Sequence, residues 1–312
     1  MRSVRQIARP VTLRTGRECR AIGSRAVAEE LSALLTILDL EQIEVNIFRG
    51  LSPDETVQRV FGGQVAGQAL IAAGRTVPED RKVHSLHAYF LRPGDPAIPI
   101  VYEVDRIRDG RSFTTRRVVA LQHGEAIFTL ACSFHADEPG IVHQDPMPNV
   151  PGPESVPELE AAGVGSGRTG RVPLAFEDGS GLDVRYLAGP PWARDPLLAQ
   201  KREQMWIRTR GRLPDEAILH AAAMTFASDL SLVGTILRRH PGESSSPGFR
   251  ASLDHAVWFH RSFRADEWLF YDQVSPIAFG ARGLAHGKLY KEDGTLVASV
   301  AQEGLVRSAR GR

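Results

Sequence analysis

The feature that most constrains the fold is an internal repeat, because two blocks of the first half recur about 170 positions later. The block "HAYFLR" at 87–92 aligns with "AVWFHR" at 256–261, and "HGEAIFTLACSF" at 123–134 aligns with "DGTLVASVAQEG" at 293–304. In each half a helical segment of small residues precedes four segments with a strand pattern. The repeat predicts a duplicated α+β domain.

Apolar periodicity places the elements of the two halves. Helical patterns cover 28–44, the Gly- and Ala-rich stretch 60–74, and a long run at 214–239 for which Asp215 is a plausible N-cap. Alternation predicts strands in the first half at 83–91, 99–108, 112–122 and 126–135, and in the second half at 182–187, 203–211, 251–263, 267–275, 282–290 and 295–306. A helix followed by an antiparallel meander is therefore the plan of both halves.

Composition divides the chain into four regions. Residues 1–26 hold seven arginines and one acid, which is the composition of a disordered extension or of a mitochondrial presequence. Residues 27–137 form the first repeat, and 173–312 form the second. Residues 138–172 are rich in Pro, Gly and acids, and we expect a linker there.

The bulk numbers argue against several classes of protein. The net charge is +1, so no overall field attracts the chain to nucleic acid, and no apolar run reaches the 18 to 20 or so residues of a membrane span. The two cysteines, Cys19 and Cys132, offer neither a disulfide framework nor a metal pair, which is typical of a reducing compartment. We therefore expect a cytoplasmic protein that binds no nucleic acid.

The motifs of several common chemistries are missing. The sequence contains no G-x-S-x-G, no H-E-x-x-H and no P-loop pattern, and "GGQVAG" at 62–67 lacks the G-x-G opening of a dinucleotide site. The glycines there are better explained as making a thin helix over which a sheet can close. We expect no metal and no cofactor.

Two polar residues fall among positions that periodicity predicts to be buried. Asp229 shares a helical face with Phe226 and Val233, and Gln302 alternates with apolar residues of the last strand, whereas Glu303 points away. A buried carboxylate needs partners or a function, and Gln302 could supply one. A solvated acid and a sheet-edge glutamine remain the alternatives. When the sequences of the two helices are aligned, Gln68 corresponds to Asp229.

A third polar residue, Ser252, means little from pattern alone. His255 and His260 lie five apart on a strand, so their side chains point to opposite faces and are not expected to share a metal. We interpret both histidines as core or surface residues.

At these positions the sequence resembles the acyl-CoA thioesterase II (TesB-type) family. The blocks that carry the resemblance, in order, are "VFGGQVAGQAL", "VHSLHAYFLRPGD", "RDGRSFTTRRV", "FASDLS", "LDHAVWFHR" and "VAQEG", and it extends from about residue 29 to 307. The resemblance implies a double hotdog: two tandem repeats, each a central helix wrapped by an antiparallel sheet. It also implies hydrolysis of acyl-CoA to a fatty acid and CoA, and association into a homodimer or homotetramer.

The resemblance further implies a catalytic group of Asp229, Ser252 and Gln302, in which Ser252 replaces the threonine of some members. Water would attack directly, and a backbone N–H at a helix end would stabilise the oxyanion. Surface arginines would bind the CoA phosphates, with Arg92, Arg261 and Arg282 as candidates. One alternative is a non-catalytic acyl-CoA-binding or regulatory protein. Another is a hydratase, whose D-x-N-P-x-H-type block is missing.

Overall fold

The structure is a computed structural model, which describes residues 34–52, 59–158, 181–190, 195, 201–240 and 249–307. In the first half, residues 34–38 are helical (α1), and the other elements are β1 (Glu41–Glu44), β2 (Ile47–Gly50), α2 (Gly62–Gly74), β3 (Lys82–Phe90), β4 (Ile100–Asp109), β5 (Phe113–Gln122) and β6 (Glu125–His135). In the second half they are β7 (Leu182–Tyr186), β8 (Arg202–Thr209), α3 (Ala217–Ser228), α4 (Leu232–Leu237), β9 (Arg250–Ser252), β10 (Asp254–Phe259), β11 (Leu269–Phe279), β12 (Arg282–Lys291) and β13 (Leu296–Val306).

One antiparallel sheet joins the two halves, and its strand order is nearly palindromic. The order is β1-β2-β4-β5-β6-β3-β10-β13-β12-β11-β8-β7, with β9 added beside β13. At the centre His87 of β3 pairs with Ala256 of β10, and the sequence repeat aligns these same two residues. The repeat therefore corresponds to a pseudo-twofold axis that passes between β3 and β10.

The two long helices lie against each other inside this sheet. The carbonyl oxygen of Phe226 lies 2.4 Å from where a Cβ on Gly63 would stand, and that of Ala222 lies 3.2 Å from the same position on Gly67. The missing side chains thus allow α2 and α3 to pack closely in an antiparallel pair. All of α2 from Gly63 to Ala73 is buried. The predicted arrangement, helices wrapped by an antiparallel sheet, is confirmed.

The glycines of α2 serve helix-to-helix contact as well as closure of the sheet, which is more than the sequence predicted.

Among the described residues, Ala217–Leu237 is the one helical segment long and apolar enough to cross a membrane, and most of it is buried inside the fold. The segment contains both α3 and α4, and its apolar composition is that of helices in the core of the fold.

Three predictions about elements are wrong. The helix predicted at 28–44 runs too far, because 41–44 is strand β1, paired with β2 in a hairpin that the sequence did not reveal. The single helix predicted at 214–239 is two helices, separated at Asp229–Ser231. Asp215 is not the N-cap of α3: that position is Glu216, which makes no side-chain cap bond, and Asp215 pairs with Arg264.

The described part of the predicted linker, residues 138–158, lies against the second half of the sheet. Gln144 accepts a hydrogen bond from Arg261, Asp145 pairs with Lys288, and Val156 joins an apolar cluster with Trp206. These contacts hold the segment to the sheet. The predicted extension 1–26 and the rest of the linker lie outside the described residues, and the division of the chain at 137 and 173 stays a prediction.

Candidate active site

Asp229 is a nearly buried carboxylate at the junction of α3 and α4. It follows Ser228, the last residue of α3, and is 9% exposed. Its Oδ1 accepts a hydrogen bond of 2.5 Å from Gln302 Nε2 and a longer one of 3.5 Å from Ser252 Oγ, and the backbone N–H of Gly63 also donates to the carboxylate. The structure therefore brings the three predicted residues together.

Burial raises the pKa of the Asp229 carboxyl from 3.8 to about 6. The hydrogen bonds from Gln302, Gly63 and Ser252 act in the opposite direction, because they stabilise the ionised form. The result is a carboxylate that is ionised at neutral pH yet basic enough to accept a proton, which is the property required of a general base.

The strands place the other two groups beside Asp229, and alternation had predicted the burial of Gln302. Gln302 is fully buried in β13, whereas Glu303 faces the other way and pairs with Arg282. Ser252 ends the short strand β9, where it pairs with Gly304 of β13. One strand therefore holds the amide and positions the hydroxyl beside it.

The N-terminus of α2, from the first half, completes the site. Its N-cap residue Phe61 makes no side-chain cap bond, and its first turn contains no acid. Asp229, from the other half of the chain, supplies the missing cap bond and the missing negative charge. Its carboxylate accepts the N–H of Gly63 at the positive end of the helix dipole. A Cβ on Gly62 would lie 2.8 Å from Asp229 Oδ2. Only the lack of a side-chain cap in "FGGQ" hinted at this role.

A cavity of about 710 Å³ opens at these groups, within the range of ligand sites. Its lining comes from both halves of the chain. The apolar part includes Phe61, Val65, Phe90, Phe128, Leu230 and Val233, and the cationic part is Arg59, Arg92 and Arg250. Asp229 and Ser252 also line it. The cavity thus joins an apolar wall, a cationic rim and a buried carboxylate.

Only one of the three arginines proposed for phosphate binding lies at this cavity. Arg92 lines it, donates to the carbonyl oxygen of Ala126 and pairs with Glu125. Arg261 lines a different cavity, and Arg282 pairs with Glu303. Arg59, which the sequence did not single out, lies over the ring of Phe249 in the lining of the site.

The cavity lined by Arg261 is the pseudo-twofold counterpart of the site, with a volume of about 680 Å³. By the sequence repeat, Val83 stands there in place of Ser252, and Cys132 in place of Gln302. Gly74 stands in place of Asp229. It ends α2 and contacts Ile218 at the start of α3, just as Asp229 follows the end of α3 and contacts the start of α2. A Cβ on Gly74 would clash with Ile218 Cγ1. None of the three positions carries the carboxylate, hydroxyl or amide of the candidate site.

The alignment of Gln68 with Asp229 is therefore wrong. Gln68 lies in the middle of α2, fully buried, where it donates to the carbonyl oxygen of Ile37 and accepts a 2.6 Å hydrogen bond from the Tyr102 hydroxyl. Asp229 is instead at a helix end. Gln68 has a structural role in tying α2 to α1 and β4.

The described part of the chain contains no group of three or more His, Cys, Asp or Glu side chains placed to hold a metal. The chemistry available at the site is that of the carboxylate, the amide, the hydroxyl and the helix N-terminus.

Comparison with known proteins matches both halves of the chain to models of one family. Residues 181–305 match the acyl-CoA thioesterase model, and residues 51–135 match the model of the acyl-CoA thioesterase N-terminal domain. Human acyl-coenzyme A thioesterase 8 is 41% identical over 281 residues, covering 87% of this chain and 88% of the relative. Acyl-CoA thioesterase 2 of Haemophilus influenzae is 38% identical over 286 residues, covering 90% of this chain and 99% of the relative.

A solved structure supports the same relationship. The crystal structure of an acyl-CoA thioesterase II, TesB2, from Mycobacterium marinum superposes with a TM-score of 0.74 at 46% identity, covering 89% of this chain and all of that one. Such identity over nearly the whole length extends the likeness beyond fold to family. The chain therefore belongs to the acyl-CoA thioesterase II (TesB-type) family of double-hotdog thioester hydrolases.

Proposed function

We propose that the chain hydrolyses fatty acyl-CoA by direct attack of a water molecule that Asp229 orients and deprotonates. The observation that carries this proposal is the Asp229 carboxylate, buried at the mouth of an apolar cavity with a pKa of about 6 and held by Gln302. A general base works best when its pKa lies near the working pH.

The steps balance without a covalent enzyme intermediate. The water oxygen bonds to the thioester carbonyl carbon while Asp229 takes the water proton. The tetrahedral intermediate then collapses, the C–S bond breaks, and the CoA sulfur leaves and recovers that proton. The products are a fatty acid and free CoA.

The N-terminus of α2 is suited to stabilise the oxyanion. Gly62 is the first residue of α2, so its N–H has no intrahelical partner, and it lies beside Asp229 where the helix dipole favours negative charge. Oriented backbone donors of this kind act strongly on developing charge in a site shielded from water. We assign the N–H of Gly62 as the oxyanion donor.

The cavity lining suits the two ends of the substrate. The phenylalanines and Val65 present an apolar wall to the acyl chain, and Arg59 and Arg92 present charge to the phosphates of CoA. A non-catalytic binding protein would need Asp229 only as the cap of α2, which an uncharged side chain could supply without the cost of burying a charge.

Thiol release from acyl-CoA substrates of different chain lengths tests the activity. Wild-type protein should release CoA, and Asp229→Asn should lower kcat at least about 100-fold, the effect of losing a general base. Ser252→Ala distinguishes direct attack from nucleophilic catalysis by the hydroxyl, since we expect a loss of only about tenfold in kcat. Mass spectrometry of wild-type protein during turnover should show no acyl adduct on Ser252. An acylated Ser252 would refute the mechanism, and wild-type protein inactive at every chain length would refute the function.

We also propose a cytoplasmic homodimer or homotetramer. Tyr89 and Trp258 stand exposed on the two central strands, β3 and β10, and offer an aromatic surface to a second copy. Size-exclusion chromatography coupled to light scattering would give the molecular mass in solution, and the mass of a monomer would refute the proposed assembly. Cell fractionation tests the compartment.

A further inference from the structure

His255 is a buried histidine beside the site that the proposed mechanism does not use. It lies in β10 with no exposed surface, and its Nε2 is 2.8 Å from Ser228 Oγ, the residue before Asp229. Burial lowers the pKa of the imidazole to about 4, so the ring is neutral at neutral pH and carries a single N–H.

Two buried polar atoms here have no hydrogen-bond partner: Nδ1 of the His255 ring itself and Oε1 of Gln302. The two side chains are neighbours, because they contact the consecutive residues Ser228 and Asp229. Their backbones are neighbours as well: Ala256 pairs with Ala301, so His255 and Gln302 are the next residues along the paired strands β10 and β13. Side chains at such positions are within reach of each other.

Counting protons selects one tautomer of the ring. If Nε2 carries the proton, Ser228 Oγ accepts it and donates to the carbonyl oxygen of Thr225, 2.9 Å away. Nδ1 and Gln302 Oε1 are then two buried acceptors without a donor, an arrangement that proteins avoid. If Nδ1 carries the proton, a small rotation of the ring or of the amide lets it donate to Oε1, since the two atoms have no partner where the structure places them. The Ser228 hydroxyl then donates to Nε2 instead of to the carbonyl oxygen of Thr225.

We infer that His255 is a positioning residue, whose Nδ1–H holds the amide oxygen of Gln302 and thereby directs the amide nitrogen at Asp229. The inference rests on the proposed function. An amide held only through its nitrogen can turn over, and the turned amide would set its oxygen against the Asp229 carboxylate. A donor on the oxygen removes that alternative, so all hydrogen bonds in the series Ser228, His255, Gln302 and Asp229 run in one direction.

Two substitutions separate the two ring nitrogens. In His255→Asn the side-chain N–H takes the place of Nδ1–H and keeps the bond to Gln302, whereas in His255→Gln the amide reaches the place of Nε2 and loses it. We expect kcat to fall at least about tenfold in His255→Gln with KM within about twofold, and less than about threefold in His255→Asn. Equal losses in the two variants would overturn the inference.

A matched control is His220→Gln, which removes a buried histidine at the other end of α3, where His220 Nδ1 accepts the N–H of Ala265. Its kcat should stay within about twofold of wild type, because no group of the site is involved. A tenfold loss there would assign the effect to any buried histidine and overturn the inference.

Nitrogen-15 NMR of histidine-labelled protein reads the tautomer directly and does not depend on activity. Spectra of wild type and His255→Asn identify the His255 signals. A protonated Nδ1 with an unprotonated Nε2 is the expected result, and the reverse would overturn the inference even if thiol release is normal. Protein without thioesterase activity but with the expected tautomer would refute the proposed function and leave the hydrogen bond intact.

Discussion

Replacing Asp229 by asparagine should make the protein more stable while it removes the activity. The carboxyl has a pKa of about 6 in the folded chain instead of 3.8, because burial penalises its ionised form. That difference corresponds to about 3 kcal/mol. The folded state keeps the proton up to about pH 6, whereas the unfolded state releases it near 3.8, so stability falls as the pH rises through this window.

The carboxamide resembles the protonated carboxyl, so it escapes the penalty. Asparagine keeps an oxygen for Gln302 Nε2 and carries no charge to bury. We therefore expect Asp229→Asn to gain up to about 3 kcal/mol at pH 7.5 and about 1 kcal/mol at pH 4.5, where most of the penalty has disappeared from the wild type. The gain should thus change by about 2 kcal/mol between the two pH values.

Urea unfolding of both proteins at pH 4.5 and pH 7.5 measures this change. The exposed Asp80 supplies the control, since Asp80→Asn should alter stability by less than about 0.5 kcal/mol at either pH. A variant less stable than wild type at pH 7.5, or a gain equal at both pH values, would refute the reasoning. The combination of higher stability with lost activity also separates a missing base from misfolding.

Three further predictions concern the same site. The value of kcat/KM should rise with pH and level off above an apparent pKa of about 6, as Asp229 ionises; a flat profile from pH 5 to 8 would contradict its role as base. Gln302→Met should lower kcat by about tenfold or more, whereas Glu303→Gln, on the opposite face of β13, should change it less than about twofold. Gly62→Ala should lower kcat at least about tenfold, because its Cβ would lie 2.8 Å from Asp229 Oδ2, whereas Gly140→Ala, with open space around it, should keep wild-type rates.

The strands and the buried partners of the site could be predicted because alternation records which face of a strand is buried. Gln302 among apolar positions and Glu303 facing away were both confirmed. The break between α3 and α4 could not be predicted, since no Gly or Pro marks it and the apolar period continues across 229–231. The strand at Glu41–Glu44 was hidden for a related reason: its residues favour a helix, and only pairing with β2 makes it a strand.

The contribution of the first half to the site was invisible because it is made by backbone groups. The sequence located the chemistry entirely in the second half, on Asp229, Ser252 and Gln302. Gly63, and in the proposed mechanism Gly62, act through N–H groups that every residue except proline possesses, so only the packing of α2 on α3 reveals them. The small residues that permit this packing were predicted correctly as a thin helix, without the reason that makes them part of the site.

Pseudo-twofold symmetry explains why, among the described residues, two cavities lie at equivalent places in the fold and only the one at Asp229 has the candidate catalytic group. A site needs the start of one long helix, the end of the other and two strand positions. The counterpart cavity has all of these elements but carries Gly74, Val83 and Cys132, with the Ile218 side chain filling the space where a carboxylate would stand. Each half therefore supplies half of the proposed site: the first gives the donor end of α2, and the second gives Asp229, the proposed base, which caps that helix.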